Sequence, residues 1–93
     1  MELHLEMGLS REDLLRHLPA ALGVQELREE AGLYRGGEGR RRWTLRLTPL
    51  EDRRVGSLVL PCHRIHLHLE GFQEGEAQAF VARFHRAFQR GGG

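Results

Sequence analysis

The stretch Arg64-Ile65-His66-Leu67-His68-Leu69-Glu70 decides the fold class that this chain can adopt. Apolar and polar side chains alternate along it, a period of two that is typical of a β-strand with one buried and one exposed face. The same alternation runs over residues 2–7 and residues 42–48. Strands with a single apolar face need a second layer to cover that face, so the sequence predicts a layered domain.

Two amphipathic segments supply the second layer. In residues 10–23, Ser10 has the spacing of an N-cap and Gly23 is placed as the C-terminal stop. Pro19 removes one amide donor, so we expect a kink or an early end of this helix there. Residues 74–90 begin with acids and end with arginines, an order that suits the helix dipole. Their apolar stripe consists of Ala77, Phe80, Val81, Phe84 and Phe88.

The segments between these elements predict further strands and turns. In residues 24–35, the apolar positions suit either a short helix or a strand, and we favour a strand that begins late in the segment. The glycine-rich residues 36–39 are typical of a flexible turn. Residues 49–54 are predicted as a polar turn and residues 55–60 as a separate strand. The predicted order of elements is therefore β-α-β-β-β-β-α.

The predicted fold class is α+β: a two-layer sandwich with a mostly antiparallel sheet of four to five strands and two helices on one face, with a ferredoxin-like variant left open. The 93 residues predict one domain, residues 1–93, with a frayed tail at residues 90–93. No apolar run approaches the ~18 residues of a membrane-spanning helix. Glu2 and Glu6 stand where a signal peptide carries bases, so we expect a cytoplasmic location without membrane contact.

The composition excludes several kinds of chemistry. All fourteen basic residues are arginines, so Schiff-base lysine chemistry is excluded, and the lack of Lys and Asn is compatible with a thermophilic source. The single cysteine, Cys62, excludes an intramolecular disulfide and any zinc site that needs two thiolates from one chain. No Ser-His-Asp set or suitably spaced carboxylate pair is evident, so we predict no catalytic residues and do not expect an enzyme.

Charge is segregated along the chain although the net charge is only +1. Residues 1–30 hold seven acids and three arginines, which gives −4, and residues 35–54 hold seven arginines and three acids, which gives +4. Opposite charges on two segments can pair within one chain or between copies. A domain with a small core gains stability from association, so we expect a homodimer, with an unknown protein partner as the other possibility.

Histidines are placed on the polar face of the predicted sheet. His66 and His68 are two residues apart on one strand and point to the same side, and His4 lies on the polar face of the first strand. Two such imidazoles with a third ligand, His4 or Glu6, make a site for zinc or another divalent transition metal. The alternative is a row of histidines and glutamates that pair across strands without a metal. Arginines on the same face would repel a cation that lay close to them; they are Arg42, Arg46 and Arg64.

The segment Leu60-Pro61-Cys62-His63-Arg64-Ile65 resembles the signature of the alkylguanine-DNA alkyltransferases, in which a Pro-Cys-His-Arg run carries the alkyl-acceptor cysteine. The resemblance covers six residues and implies an acceptor role for Cys62. It ends at His66, where the family has an apolar residue, and strand alternation from Arg64 contradicts the family's loop and helix. We therefore do not assign the chain to this family. Cys62 stays a candidate reactive thiol because imidazoles and a guanidinium nearby favour the thiolate.

The run Arg40-Arg41-Arg42-Trp43 joins basic residues to an aromatic, a combination that binds single-stranded nucleic acid. Arg46 and Arg64 would extend this candidate surface for a partner or a nucleic acid. The pI of about 8.1 is lower than that of strongly basic nucleic-acid binders. Strand alternation also turns Trp43 toward the core, so both observations argue against a nucleic-acid partner.

Together these patterns favour a small non-catalytic domain that acts through self-association or partner binding on its polar sheet face. The alternative function is a metal-binding module that uses His4, His66 and His68. Nucleic-acid binding through Arg40, Arg41 and Arg42 is a further alternative.

Overall fold

A computed structural model describes the backbone of residues 1–91 and the side chains of residues 1–89. Five antiparallel strands form one sheet, and two helices pack on its apolar face. The last residues of the predicted frayed tail, 92 and 93, lie outside the described part. The elements are β1 (Glu2–Met7), α1 (Arg11–Leu22), β2 (Glu29–Glu30), β3 (Leu33–Glu38), β4 (Arg41–Val55), β5 (Leu58–Glu70) and α2 (Glu74–Gly91).

The predicted two-layer α+β architecture is confirmed. The strand order is β1-β5-β4-β3-β2, so the last four strands form a meander and β1 adds to its far edge beside β5. A ferredoxin-like fold needs a second helix between its later strands, whereas here hairpins join β2 through β5. Helix α1 therefore carries the chain from one edge of the sheet to the other.

Helix α1 has the predicted caps but not the predicted early end. The Ser10 hydroxyl accepts a hydrogen bond from the Asp13 N–H at 3.1 Å, and Gly23 closes the helix in the left-handed conformation at φ 73°. The helix continues through Pro19 to Leu22. Because the last turn buries Leu18, Ala21 and Leu22, tertiary packing outweighs the amide that Pro19 lacks.

The core lies between the helices and the apolar sheet face. Tyr34, Leu45 and Leu67 follow one another across β3, β4 and β5 in the strand register and are buried. Helix α2 presses Phe84, which is fully buried, onto this face. The largest fully buried side chains are Phe84, Leu14, Leu18, Leu45, Ile65 and Leu67. Within the described residues, neither helix combines the length and the apolar character needed to cross a bilayer.

The two turns predicted in the meander were misplaced. Residues 49–54 are not a turn, and residues 55–60 are not a separate strand: β4 runs on to Val55, the chain reverses at residues 56–57, and β5 returns from Leu58. Pro49 is tolerated because β3 ends its pairing at Arg46, which leaves the outer edge of β4 open at the proline.

The glycine-rich segment also belongs to a strand. β3 includes Gly36 and extends to Glu38, and only then does the chain turn into β4. The Trp43 indole lies over Gly36 so closely that a Cβ there would collide with the ring. The glycine therefore makes room for a core tryptophan and does not mark a flexible loop.

Gly71 and Gly75 provide a matched pair of substitutions that tests the close approach of the segment after β5 to the β3–β4 turn. Gly71 has φ 73°, and a Cβ there would collide with the Arg40 carbonyl oxygen, whereas a Cβ on Gly75 meets no atom within 4 Å. We expect Gly71→Ala to lower the free energy of unfolding by at least about 1–2 kcal/mol, the cost of the left-handed conformation alone. Gly75→Ala should raise it by up to about 1 kcal/mol, because alanine favours the helix.

Urea denaturation of both variants and of the unmodified chain measures these changes. Equal stabilities of the two variants would contradict the close approach of Gly71 to the β3–β4 turn.

Candidate metal centre

Pairing of β1 with β5 brings together residues about sixty positions apart in the sequence. His4 lies directly opposite His66, and Glu2 lies directly opposite His68. The backbone of Met1 fixes this register, since its carbonyl accepts from the Leu69 N–H at 2.8 Å and its amine donates to the Leu69 carbonyl at 3.1 Å. Because all four site residues lie on strands, their positions are set by the sheet.

Three of these side chains converge on one point. Glu2, His4 and His66 each offer one ligand atom, and these atoms all lie within 4.8 Å of one another. The Glu2 Oε1 accepts a hydrogen bond from the His66 Nε2 at 3.1 Å. The rings of His4 and His66 stack with their centroids 4.1 Å apart and their planes at 18°. This cluster of one carboxylate and two imidazoles is the candidate metal centre.

His68, which the sequence placed with His4 and His66, lies beside the cluster. Its Nδ1 is 3.7 Å from the Glu2 Oε1, and its Nε2 is 3.2 Å from the Glu70 Oε1. The Nδ1 is buried and has no hydrogen-bond partner among the described residues. His68 therefore flanks the Glu2 carboxylate, and Glu2 supplies the third candidate ligand atom.

The alternative third ligand from the sequence, Glu6, is used differently. It lies opposite Arg64 in the strand register, and its Oε2 is 3.7 Å from the Arg64 Nη2. This ion pair directs the carboxylate to the guanidinium. It also neutralises one of the arginines that would repel a cation.

The cluster favours the charged form of its carboxylate. The hydrogen bond from His66 lowers the pKa of Glu2, and the neighbouring imidazoles of His66, His68 and His4 lower it further. The lowered pKa keeps the carboxylate ionised in mildly acidic solution, as a metal ligand must be. Glu2 accordingly enters the site as an anion.

The arginines of the polar face do not crowd the cluster. Arg46 pairs with His66 in the register of β4 and β5, but its Nη1 extends toward Gly32 and lies 3.9 Å from where a Cβ on that glycine would be. Arg42 lies opposite Glu70, four residues along β4 from Arg46. On β1 and β5 themselves, the polar face carries three carboxylates against the one guanidinium of Arg64.

The residues proposed for nucleic-acid contact are dispersed. Arg40 and Arg41 lie at the β3–β4 turn, where the Arg41 Nη1 is 3.4 Å from the Glu76 Oε2. Trp43 is 4% exposed, so no ring beside this run is free to stack on a base. Arg46 and Arg64 lie farther along β4 and β5.

Cys62, the candidate reactive thiol, is buried at 5% exposure on β5. The segment that resembles the alkyltransferase signature is part of this strand. The neighbouring His63 is also buried, and its Nδ1 lies 2.8 Å from the Leu9 carbonyl oxygen. A bond to a carbonyl requires the proton on Nδ1, so this imidazole ties the entry of α1 to β5.

No protein-family model and no curated protein matches this chain. Functional reasoning therefore depends on the geometry of the site: two imidazoles and an ionised carboxylate held together by one pair of strands.

Burial of Cys62 predicts slow thiol chemistry in the folded chain. We expect modification by an aromatic disulfide reagent to be at least about 100-fold slower in buffer than in 8 M urea, because the thiol reacts only when the structure opens. The measurement is the rate of thiol release followed by absorbance. A native rate equal to the denatured rate would show an accessible, reactive thiol.

Proposed function

We propose that this chain is a small metal-binding module that holds a divalent transition-metal ion through Glu2, His4 and His66. The observation that carries the proposal is the approach of three ligand atoms to within 4.8 Å of one another on one face of paired strands. Residues about sixty positions apart in the sequence supply these atoms, so the folded sheet itself assembles the proposed ligand set.

The donor set indicates which ions the site suits. Imidazole with carboxylate suits zinc, nickel, copper or iron(II), whereas calcium and magnesium prefer all-oxygen sites. Zinc ligands lie about 2.0–2.2 Å from the ion, so the cluster contracts modestly when it binds. Three protein ligands leave at least one position for water or for an incoming ligand, as in open zinc sites.

Two features distinguish this cluster from a row of histidine–glutamate pairs. His4 stacks on His66 and forms no hydrogen bond with a carboxylate among the described residues, so its ring nitrogens are available to an ion. Glu2 has three imidazoles near it but accepts a hydrogen bond from only one of them, His66. A bound cation would be coordinated by a ring nitrogen of His4 and by the lone pairs of the Glu2 carboxylate that the hydrogen bond from His66 leaves free.

His68 supports the site as an outer-shell residue. Residues that hold a metal ligand in place contribute roughly 10–100-fold to affinity, less than the ligands themselves. The His68 Nδ1 faces the Glu2 Oε1 at 3.7 Å, a distance from which it can orient the carboxylate. This ranking of His68 below His66 distinguishes the proposed ligand set, Glu2, His4 and His66, from the set that the sequence predicted, His4, His66 and His68.

Self-association is the second candidate function, and the charge distribution favours it. The acidic residues 1–30 and the basic residues 35–54 form no ion pair with each other among the described side chains. The opposite net charges of the two segments are therefore not neutralised by each other, although Glu6 pairs with Arg64 and Arg41 with Glu76. Nucleic-acid binding by Arg40, Arg41 and Arg42 is less favoured because the neighbouring Trp43 is buried.

Loss of a ligand tests the metal proposal. We expect metal-free, untagged chain to bind one Ni²⁺ or Zn²⁺ ion in a calorimetric titration, and His66→Ala to weaken binding by at least about 100-fold. His68→Ala should weaken it by about tenfold, as expected for an outer-shell residue. His85→Ala is the matched control, since this exposed histidine lies on α2 away from the sheet, and it should leave the titration unchanged.

Circular dichroism of each variant confirms that it folds. Absence of stoichiometric binding by the unmodified chain, or an unchanged titration for His66→Ala, would overturn the assignment.

Protons compete with the metal for the two imidazoles. Glu2 has a lowered pKa and stays ionised in mildly acidic solution, so loss of its charge does not weaken binding there. A metal ligand must be an unprotonated imidazole, so we expect affinity to be lower at pH 5.5 than at pH 7.5. Titrations at pH 7.5, 6.5 and 5.5 measure the slope, and a flat profile would contradict imidazole ligation.

A further inference from the structure

The hairpin formed by the end of β4 and the start of β5 projects from the body of the domain. Strand β4 has 15 residues, which span about 50 Å at the usual rise, and the longest dimension of the molecule is 47 Å. All side chains in residues 51–60 are exposed, and none belongs to the core or packs against it. We call residues 51–60 the arm.

The arm exposes aliphatic side chains that no other part of the described chain covers. Leu58 is 62% exposed, Val55 54%, Val59 52% and Leu60 37%. Leu58 and Leu60 are two residues apart and Val55 lies opposite Leu58, so these three share one face of the arm. A two-stranded hairpin is marginally stable by itself in water, so a partner that covers this apolar face would stabilise it.

The two edges of the arm differ in how they are protected. The β4 edge carries Pro49, an irregularity in the register between Leu50 and Arg53, and the charged run of residues 51–54, all of which discourage pairing with another strand. The β5 edge presents Leu58, Val59 and Leu60 without a charge. No described strand lies beside it, since β1 pairs with β5 only from His63 onward.

We propose that the arm is a dimerisation surface on which Leu58–Leu60 pairs with the same segment of a second copy, antiparallel about Val59. The sequence Leu58-Val59-Leu60 reads the same in both directions, so a two-fold axis at Val59 sets each Leu58 opposite the partner's Leu60. The paired backbones complete the open edge, and the leucines of both copies bury one another. Pro61 has no amide donor and ends the paired segment.

A second copy is favoured over a different partner on two grounds. The arm holds two acids, Glu51 and Asp52, and two arginines, Arg53 and Arg54, so it has no net charge to select an acidic or a basic partner. The edge segment Leu58-Val59-Leu60 is uncharged and reads the same in both directions, so the same edge of a second copy matches it residue for residue.

Cysteine cross-linking tests the register. In antiparallel pairing about Val59, the two Val59 Cα atoms lie about 4.5–5.5 Å apart, within the range of a disulfide. Val59→Cys should therefore form a covalent dimer with oxidised glutathione, read by non-reducing electrophoresis. Arg54→Cys is the matched control, because Arg54 faces Val59 across the hairpin on the outer strand. Three strand spacings, about 14 Å, would separate its two copies, so it should stay uncross-linked.

Native mass spectrometry measures the assembly itself. At 50 µM, in EDTA, the full chain should have twice the monomer mass of 10.7 kDa, and Leu58→Glu with Leu60→Glu should shift it to monomer. Arg54→Glu adds the same carboxylate to the protected edge and should leave the dimer intact. EDTA makes the result independent of the metal proposal.

A monomeric unmodified chain would overturn the proposal and leave the arm to a different protein. Cross-linking of both cysteine variants at equal rates would also overturn it, because it would indicate random collision.

Discussion

The antiparallel pairing of β1 with β5 is the contact on which the rest of the structure depends. It joins residues sixty positions apart, such as Leu5 and Ile65, and converts a four-stranded meander into a five-stranded sheet. Closing so long a loop costs conformational entropy, and the burial of the apolar sheet face under α1 and α2 offsets that cost. The polar face of the same pairing assembles Glu2, His4 and His66. One register therefore determines both the core and the candidate site.

The sequence identified the strands with one apolar face because alternation records burial directly. Residues 42–48 and 64–70 have a solvated face and a covered face, and both are observed in β4 and β5. The prediction of a turn at residues 49–54 and a separate strand at residues 55–60 was wrong because no burial pattern marks this segment. Their proline, glycine and charges are typical of turns, but an exposed hairpin has no buried face to impose a period. The prediction of a turn at Gly36 was wrong for another reason. The Trp43 ring leaves no space for a side chain at this position, and that contact exists only in the folded sheet.

The type of candidate site could be predicted from the sequence, but the exact set of residues that forms it could not. Alternation alone placed His4, His66 and His68 on one face, because residues two apart on a strand point to the same side. The choice of Glu2 over His68 depends on the register and on a diagonal contact between strands, which local patterns do not encode. The exposed aliphatic residues of β5 were visible in the sequence as a short apolar run. Whether a neighbouring strand covers these residues depends on where β1 ends.

Strand β5 carries both proposed surfaces, and its length keeps them apart. Val59 and His66 are seven residues from each other, so an extended strand separates them by about 24 Å. In a dimer with its axis at Val59, the two His66 side chains lie on opposite sides of that axis, about 48 Å apart along the shared strand direction. A single ion cannot bridge the two copies at that distance, because its ligands must lie within about 2.2 Å of it. Under the two proposals, each copy would hold its own ion at the β1–β5 end of the sheet, and the dimer contact at the arm would neither contribute a ligand to that ion nor remove one.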